Sequence, residues 1–477
     1  MIQTEERELL TERTDAYVDD LVERAAAAQK EFETWSEEAT DRLLQALAER
    51  VALHAEVLAI ATVQETGMGN VRDKTAKNRF ASLDIYRSLE GRVGHGCLGY
   101  DKQHKIKTLA SPMGVVLGLV PVTHPVATFI FKVLIALKGR NALILSPSQR
   151  AMGVSNQVGE LIRQVLYEQG APIDLVQWVS SKKSRSTVAA LMVHPGIAFI
   201  LATGGPGLVK AAYQSGKPAI GVGSGNAPVL VCADADLSRA ASNSVLSKAF
   251  DHGLACTSEN NLIVVESRLE AFKTALEEHG AAVLSTEETE RLLAVIVDPS
   301  TNRLHASIIG QAASTLAACA SIRRSYAIQV LVMPTHEVSE RNPLAHEKLA
   351  PILSLFSVVD EQAGLRMCEQ ILELEGAGHT AIIFTHTPSL TTEFGARIAA
   401  SRILVNTPGM EAGMGQLTGL QPSMTLGCGT FGGTSTTDNV TYTHLLNLKR
   451  VAWSTPSRKG TILRSLKENL RTLFSLL

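Results

Sequence analysis

Apolar residues at Val18, Leu21, Val22, Ala25 and Ala26, and again at Leu43, Leu44, Leu47, Val51 and Leu53, keep the i, i+3, i+4 spacing of one helix face. The spacing predicts amphipathic helices over 15–66. From Ser111 the pattern shortens into near-continuous apolar runs at 113–120, 141–145, 175–179 and 197–203, alternating with helical stretches at 126–137, 153–169, 185–193 and 207–215. Strands apolar on both faces, separated by helices, predict a doubly wound parallel sheet covered on each side. After the apolar run 228–232, the acidic stretch 233–236 opens a helix toward Ala249, and further strands are expected at 261–266, 381–384 and 403–406. Residues 407–435, rich in Gly, Met and Thr with weak periodicity, predict loops.

The end of the chain stands apart. Residues 454–460 read as a linker, and Ile462, Leu463, Leu466, Leu470, Leu473, Phe474 and Leu477 then line up at helical spacing. Such a stripe wants a surface: a partner protein, a neighbouring subunit or the chain's own fold.

A chain of 477 residues exceeds one ordinary domain, so two large domains and a smaller element are expected. Lys and Arg number 45 against 47 Asp and Glu, with no basic stripe interleaved with aromatics, which argues against a nucleic-acid partner. No membrane-length apolar run occurs and the N-terminus is acidic and polar, so a cytoplasmic protein is expected. The six cysteines, Cys97, Cys232, Cys256, Cys319, Cys368 and Cys428, show neither zinc-ligand spacing nor a disulfide pattern. Most are expected as buried packing, which leaves room for one nucleophile.

Cys256 is the candidate. It follows a glycine in Phe250-Asp-His-Gly-Leu-Ala-Cys-Thr-Ser-Glu259, downstream of an apolar strand that breaks into Thr203-Gly204-Gly205-Pro206-Gly207 and a helix. A strand-to-helix turn rich in glycine can hold a pyrophosphate on free amides, and a thiol after it outlines covalent aldehyde oxidation with a nicotinamide cofactor. The turn lacks the G-x-G-x-x-G spacing and alone reads equally as a simple turn.

With these residues the chain resembles the CoA-acylating aldehyde dehydrogenases, including the aldehyde dehydrogenase half of bifunctional aldehyde/alcohol dehydrogenases. The motifs that carry the resemblance are Ala202-Thr-Gly-Gly-Pro-Gly-Leu-Val-Lys-Ala-Ala212, Ser215-Gly-Lys-Pro-Ala-Ile-Gly-Val-Gly-Ser-Gly-Asn226, the Cys256 run, His346-Glu-Lys-Leu-Ala-Pro351, Gly378-His-Thr380 and Pro422-Ser-Met-Thr-Leu-Gly-Cys-Gly-Thr-Phe-Gly-Gly433. The resemblance covers 17–453. It implies an α/β fold with a Rossmann-like cofactor domain at 1–232, including part of an oligomerisation hairpin near 99–115. A catalytic domain carrying Cys256 follows at 233–408. A return to the cofactor domain with the rest of the oligomerisation element occupies 409–453, and 454–477 is the linker and amphipathic helix.

The same resemblance implies roles. Cys256 attacks the aldehyde, expels hydride to NAD and keeps the acyl group as a thioester. Thr203, Gly204, Gly205, Gly207 and Gly223 belong to the cofactor site, Ser146 and Pro147 fall where the adenosine ribose is met, and Glu347 matches the glutamate on the nicotinamide ribose. Thr123-His124-Pro125 puts His124 where relatives carry an Asn that donates to the oxyanion, and His252 also replaces an Asn. His379 matches a feature of acylating members; a core histidine satisfied by backbone is the other reading.

Hydrolytic relatives place a water-activating glutamate in the segment corresponding to 218–228, and this chain has no carboxylate there. A thioester without a base for water waits for a thiol, so CoA and an acyl-CoA product are expected. The hydrolytic enzyme is the alternative, open if a carboxylate such as Glu259 reaches the site. A catalytically silent scaffold is a third reading. For the acylating enzyme the resemblance implies a small aldehyde substrate, a homodimer or homotetramer, and a tail at 460–477 that docks into a bacterial microcompartment shell or another partner protein.

Overall fold

The computed structural model describes residues 2–180 and 185–455. The amphipathic stripe expected at 460–477 lies outside these. The chain begins with helices Ile2–Phe32, Glu37–Leu53 and Ala55–Thr66. The second starts at Ser36, whose hydroxyl accepts the Ala39 amide at 3.1 Å. The third stops at Gly67, which takes a left-handed φ of 68°. Leu43, Leu44, Leu47 and Val51 face inward and are fully buried, as their spacing requires.

A five-stranded parallel sheet runs in the spatial order Val176–Trp178, Ala142–Pro147, Val115–Val120, Ile197–Thr203, Ala219–Val222. The chain leaves the central strand to one side, returns through helix Arg185–Val193 and adds the last two strands on the other side. This makes a topological switch between Val120 and Thr203, where open α/β sheets bind ligands. Helix Pro125–Lys138 is buried along its whole length, and its Lys132 Nζ donates to the Leu119 carbonyl at 2.5 Å and to that of Leu201 at 2.7 Å. That side chain ties the two central strands together next to the switch. Strand Ala219–Val222 is not expected from its glycine-rich sequence; pairing with Ile200 to Thr203 creates it.

The second sheet has seven parallel strands in the order Ala281–Val283, Val330–Pro334, Ile352–Val358, Glu259–Val265, Ala227–Val231, Gly378–Phe384, Ala400–Val405. The expected strands at 261–266, 381–384 and 403–406 fall inside it, each starting two or three residues earlier. The loops expected at 407–435 are interrupted by the short helix Gly409–Gly413 and a helical turn at Thr430–Gly432.

A third sheet is antiparallel, with strand Ile106–Pro112 between Gly96–Asp101 and Leu446–Ala452. Its outer strands are largely exposed, and Tyr100 packs edge-on to Trp453 at 5.7 Å. Among the described residues no helix is long and apolar enough to cross a membrane.

Candidate active site

The C-terminal edge of the five-stranded sheet faces the N-terminal edge of the seven-stranded one across a cavity of about 500 Å³. From the first sheet come Thr123 and His124 after the central strand, Ser146, Pro147 and Ser148 at the end of the next, and Thr203, Gly204 and Gly205 at the switch. From the second come Cys256, three residues ahead of Glu259–Val265, and Glu347, ahead of Ile352–Val358. Gly223 and Ser224 bridge the two sheets and complete the wall beside the thiol.

An over-determined turn delivers Cys256. Asp251, His252 and Gly253 all take positive φ, at 46°, 54° and 74°. Two consecutive non-glycine residues in that region store strain that only surrounding contacts can hold. A Cβ on Gly253 would stand 2.4 Å from the Ala350 carbonyl oxygen, and one on Gly225 would stand 2.0 Å from that of Cys256. The Cys256 backbone is thus clasped by two close approaches that glycine alone permits. His252 points its Nδ1 at the Gly310 carbonyl, 3.0 Å away, and does not line the cavity. Of His124 and His252, only His124 lines the cavity.

Asp251 is completely buried and accepts from both Lys74, at 3.1 Å, and Lys77, while its other oxygen takes the Asn70 amide at 3.0 Å. Lys77 also contacts His124 Nδ1 at 2.8 Å, and Lys74 donates to the Thr123 carbonyl at 3.2 Å. Burial lowers the Lys74 pKa to about 8. Burial, followed by the charges of Lys77 and Lys74, holds His124 well below the usual histidine range, so the ring is neutral at physiological pH.

Burial pushes the Cys256 thiol up to about 12, and the Glu347 carboxyl adds to the rise while Arg402 opposes it. Glu347 is itself raised to about 8, by burial and then by Glu375, against Lys248 and the Gly225 amide that it accepts at 3.1 Å. Segment 218–228 does leave the wall without a carboxylate, yet the cavity holds one carboxyl, Glu347, close enough to disturb the thiol. Glu259 stays out: it is fully buried, accepts the Gly409 amide at 2.8 Å and does not line the cavity.

A sequence profile of the aldehyde dehydrogenase family matches residues 5–445. The chain belongs to the aldehyde dehydrogenase family. The bifunctional aldehyde-alcohol dehydrogenase of Escherichia coli is 40% identical over 437 residues, covering 91% of this chain and 49% of that protein. The chain therefore spans about half the length of the first curated relatives it matches. The crystal structure of an acetylating aldehyde dehydrogenase from Geobacillus thermoglucosidasius superposes with a TM-score of 0.90 at 37% identity, covering 94% of this chain and 98% of that one. A propionaldehyde dehydrogenase from Rhodopseudomonas palustris, crystallised with bound propionyl-CoA, reaches 0.83 at 27% identity over 91% of this chain and 94% of that one. Within the aldehyde dehydrogenase family the chain thus groups with acylating members.

The fold of this aldehyde dehydrogenase gathers Cys256, His124, Ser146, Pro147, Thr203, Gly204, Gly205, Gly223 and Glu347 around one cavity. Gly207 sits one step along helix Pro206–Gln214, outside the lining. His379 is also outside: it is fully buried, its Nδ1 faces Thr380 Oγ1 at 3.0 Å, and its Nε2 has no protein partner among the described residues. It is linked to the cavity through Cys428: the Cys428 carbonyl oxygen stands 1.8 Å from a Cβ placed on the neighbouring Gly378, and its sulfur 3.7 Å from one placed on Gly223. No local motif marks Lys74, Lys77, Asp251 or Arg150, the last of which also lines the cavity. Lys74 and Lys77 sit buried at i, i+3 on helix Val71–Arg79, a spacing that does not distinguish a buried pair from a solvated one.

Proposed function

We propose that the chain catalyses the reversible oxidation of a short-chain aldehyde with NAD and CoA to acyl-CoA and NADH, through a thiohemiacetal and then a thioester on Cys256. The observation that carries this reading is the wall beside the thiol: Gly223 and Ser224 stand there, with no carboxylate from the 218–228 segment. The cavity also fits the cofactor. Gly205 caps helix Pro206–Gln214 without a side chain; Pro206 has no N–H and the Leu208 amide bonds the Gly205 carbonyl at 3.0 Å, which leaves the Gly207 amide of the first turn for an anion, and a Cβ at Gly205 would meet nothing within 4 Å.

In this reading Gly204 and Gly205 hold the pyrophosphate, Ser146 and Pro147 take the adenosine ribose, and Glu347 turns from the Gly225 amide to the nicotinamide ribose. The nicotinamide, when bound, accepts the hydride. Burial keeps the Cys256 thiol protonated at neutral pH, so its proton passes to the aldehyde oxygen as the S–C bond forms and is released to solvent when the hydride leaves and the thioester C=O re-forms. His379, with its unpartnered Nε2, serves the CoA half-reaction from behind Cys428. Residues 1–226 and 409–453 supply the cofactor and oligomerisation elements, and 227–408 the thiol, since strand Ala227–Val231 pairs within the seven-stranded sheet and moves the boundary ahead of the 232/233 expected.

Acetaldehyde with NAD should give sustained NADH only when CoA is present, with acyl-CoA by mass spectrometry, and Cys256→Ala should abolish it. Sustained NADH and free acid without CoA would establish the hydrolytic enzyme, with Glu347 as the carboxyl to suspect. The exposed three-stranded sheet supports a homodimer or homotetramer. Residues 460–477 are proposed as the segment that docks to a microcompartment shell or another partner in the cytoplasm. Removing them should leave turnover intact and abolish co-localisation.

A further inference from the structure

We infer that Lys77 and Asp251 are positioning residues that hold His124 as its Nε2–H tautomer, so that a neutral ring donates to the carbonyl oxygen of the group being attacked at Cys256. The inference rests on the acylating reading, which supplies a carbon on sulfur that becomes tetrahedral in both half-reactions.

The assignment follows from donor arithmetic. An ammonium has three N–H bonds and no lone pair. Lys77 Nζ, 2.8 Å from His124 Nδ1, can only donate, so Nδ1 accepts. A neutral imidazole whose Nδ1 accepts carries its proton on Nε2. The second-partner logic is that of a metal-bound or catalytic histidine, whose far nitrogen sets the role of the near one.

Asp251 holds Lys77 in place. It is buried without remainder, pairs with Lys77 through Oδ2 and is held on its other oxygen by the Asn70 amide. A Cβ on Gly69 would lie 1.9 Å from Asp251 Oδ1, so the carboxylate has one place to be. Lys74 donates to the same Oδ2 and to the Thr123 carbonyl, fastening the backbone immediately before His124. The left-handed backbone at Asp251, His252 and Gly253 joins this cluster to Cys256 five residues on. One strained turn therefore positions both the thiol and, through Lys77, the ring.

The device answers a problem particular to histidine. An asparagine amide always has its N–H; an imidazole must be told which nitrogen carries the proton and must stay neutral. The Leu254 and Thr123 backbone hydrogen-bonds the ring, and the charged and titratable groups around it are Lys74 and Lys77 from helix Val71–Arg79, Asp251 beyond them, and Arg150, Cys256 and Glu347 lining the cavity. The two cations nearest the ring disfavour a second proton.

The tautomer can be read without turnover. In the full chain with ¹⁵N-labelled histidine, the His124 signals, assigned by their loss in His124→Asn, should show a protonated Nε2 and a bare Nδ1 between about pH 6 and 9. A proton on Nδ1, or an imidazolium at neutral pH, overturns the inference. In turnover, Lys77→Met should lower kcat about tenfold or more, short of the roughly 10²–10³ for deleting an oxyanion donor, with KM for NAD little changed. That deficit should shrink as pH falls, because protonation restores the N–H on Nε2. In a His124→Asn background the same Lys77→Met should cost little. Equal losses in both backgrounds would make Lys77 a packing residue and overturn the inference. A chain that turns over no aldehyde with CoA would end the acylating reading while the nitrogen signals still decide the tautomer.

Discussion

Glu347 changes what Cys256 can do at a given pH. Raised to about 8, its carboxyl is neutral below that value and anionic above it, and the anion disfavours a second negative charge on the sulfur. In Glu347→Gln, iodoacetamide should therefore modify Cys256 faster than in the parent above about pH 8 and at a similar rate below it, as followed by peptide mass spectrometry. Identical rates at every pH would mean that the charge is not felt at the thiol. His379→Ala should slow CoA-dependent turnover more than the first burst of NADH; an equal loss in both would remove His379 from the second half-reaction. Among individual residues, Cys256, Glu347 and the Thr203 to Gly205 turn were legible because their motifs are local. Lys77 and Asp251 were not, because they lie 174 residues apart and nothing in a Lys-x-x-Lys helix announces burial.

The turn from Asp251 to Gly253 and the strand starts around it are the elements that set the geometry. Gly225→Ala would drive a Cβ into the Cys256 carbonyl, at 2.0 Å, and something must shift. We expect at least a hundredfold loss of kcat, the order that a displacement of about 1 Å costs, measured as NADH formation with saturating CoA. Gly253→Ala meets both the Ala350 carbonyl and a φ of 74°, and should destabilise the fold by about 1–3 kcal/mol in urea unfolding. Unchanged stability would show that the turn relaxes. The expected helix 185–193 and strand 197–203 appear at those residues, the strand's short, nearly continuous apolar run being set off from the helix by His194, Pro195 and Gly196. Strands Ala219–Val222 and Leu446–Ala452 escaped notice: the first is made by its neighbour, and the second is exposed on all but its first residue. Short strands take their identity from pairing.

At the scale of the molecule, the two parallel sheets oppose a C-terminal edge to an N-terminal edge, and the third sheet leaves Tyr100, Leu448, Val451 and Trp453 between 41% and 50% exposed. Large exposed apolar side chains on an edge sheet mark a contact surface, and we propose a second copy of the chain as its occupant. Replacing Leu448 and Val451 by lysine should lower the oligomeric mass in native mass spectrometry; an unchanged mass would place the subunit contact elsewhere. The amino-acid sequence by itself determined the alternation of elements, hence a doubly wound sheet, and the presence of a thiol and a glycine turn; the family resemblance singled out 218–228 as a segment whose lack of a carboxylate matters. These are readable because hydrophobic period and glycine placement act over a few residues. Only the tertiary structure decided that Glu347 shares the thiol's cavity, that Glu259 and His379 do not, and that an aspartate and a lysine from distant segments meet behind His124. Burial and the approach of groups from separate elements set charge, tautomer and reach, and those quantities exist only once the two sheets have closed on each other.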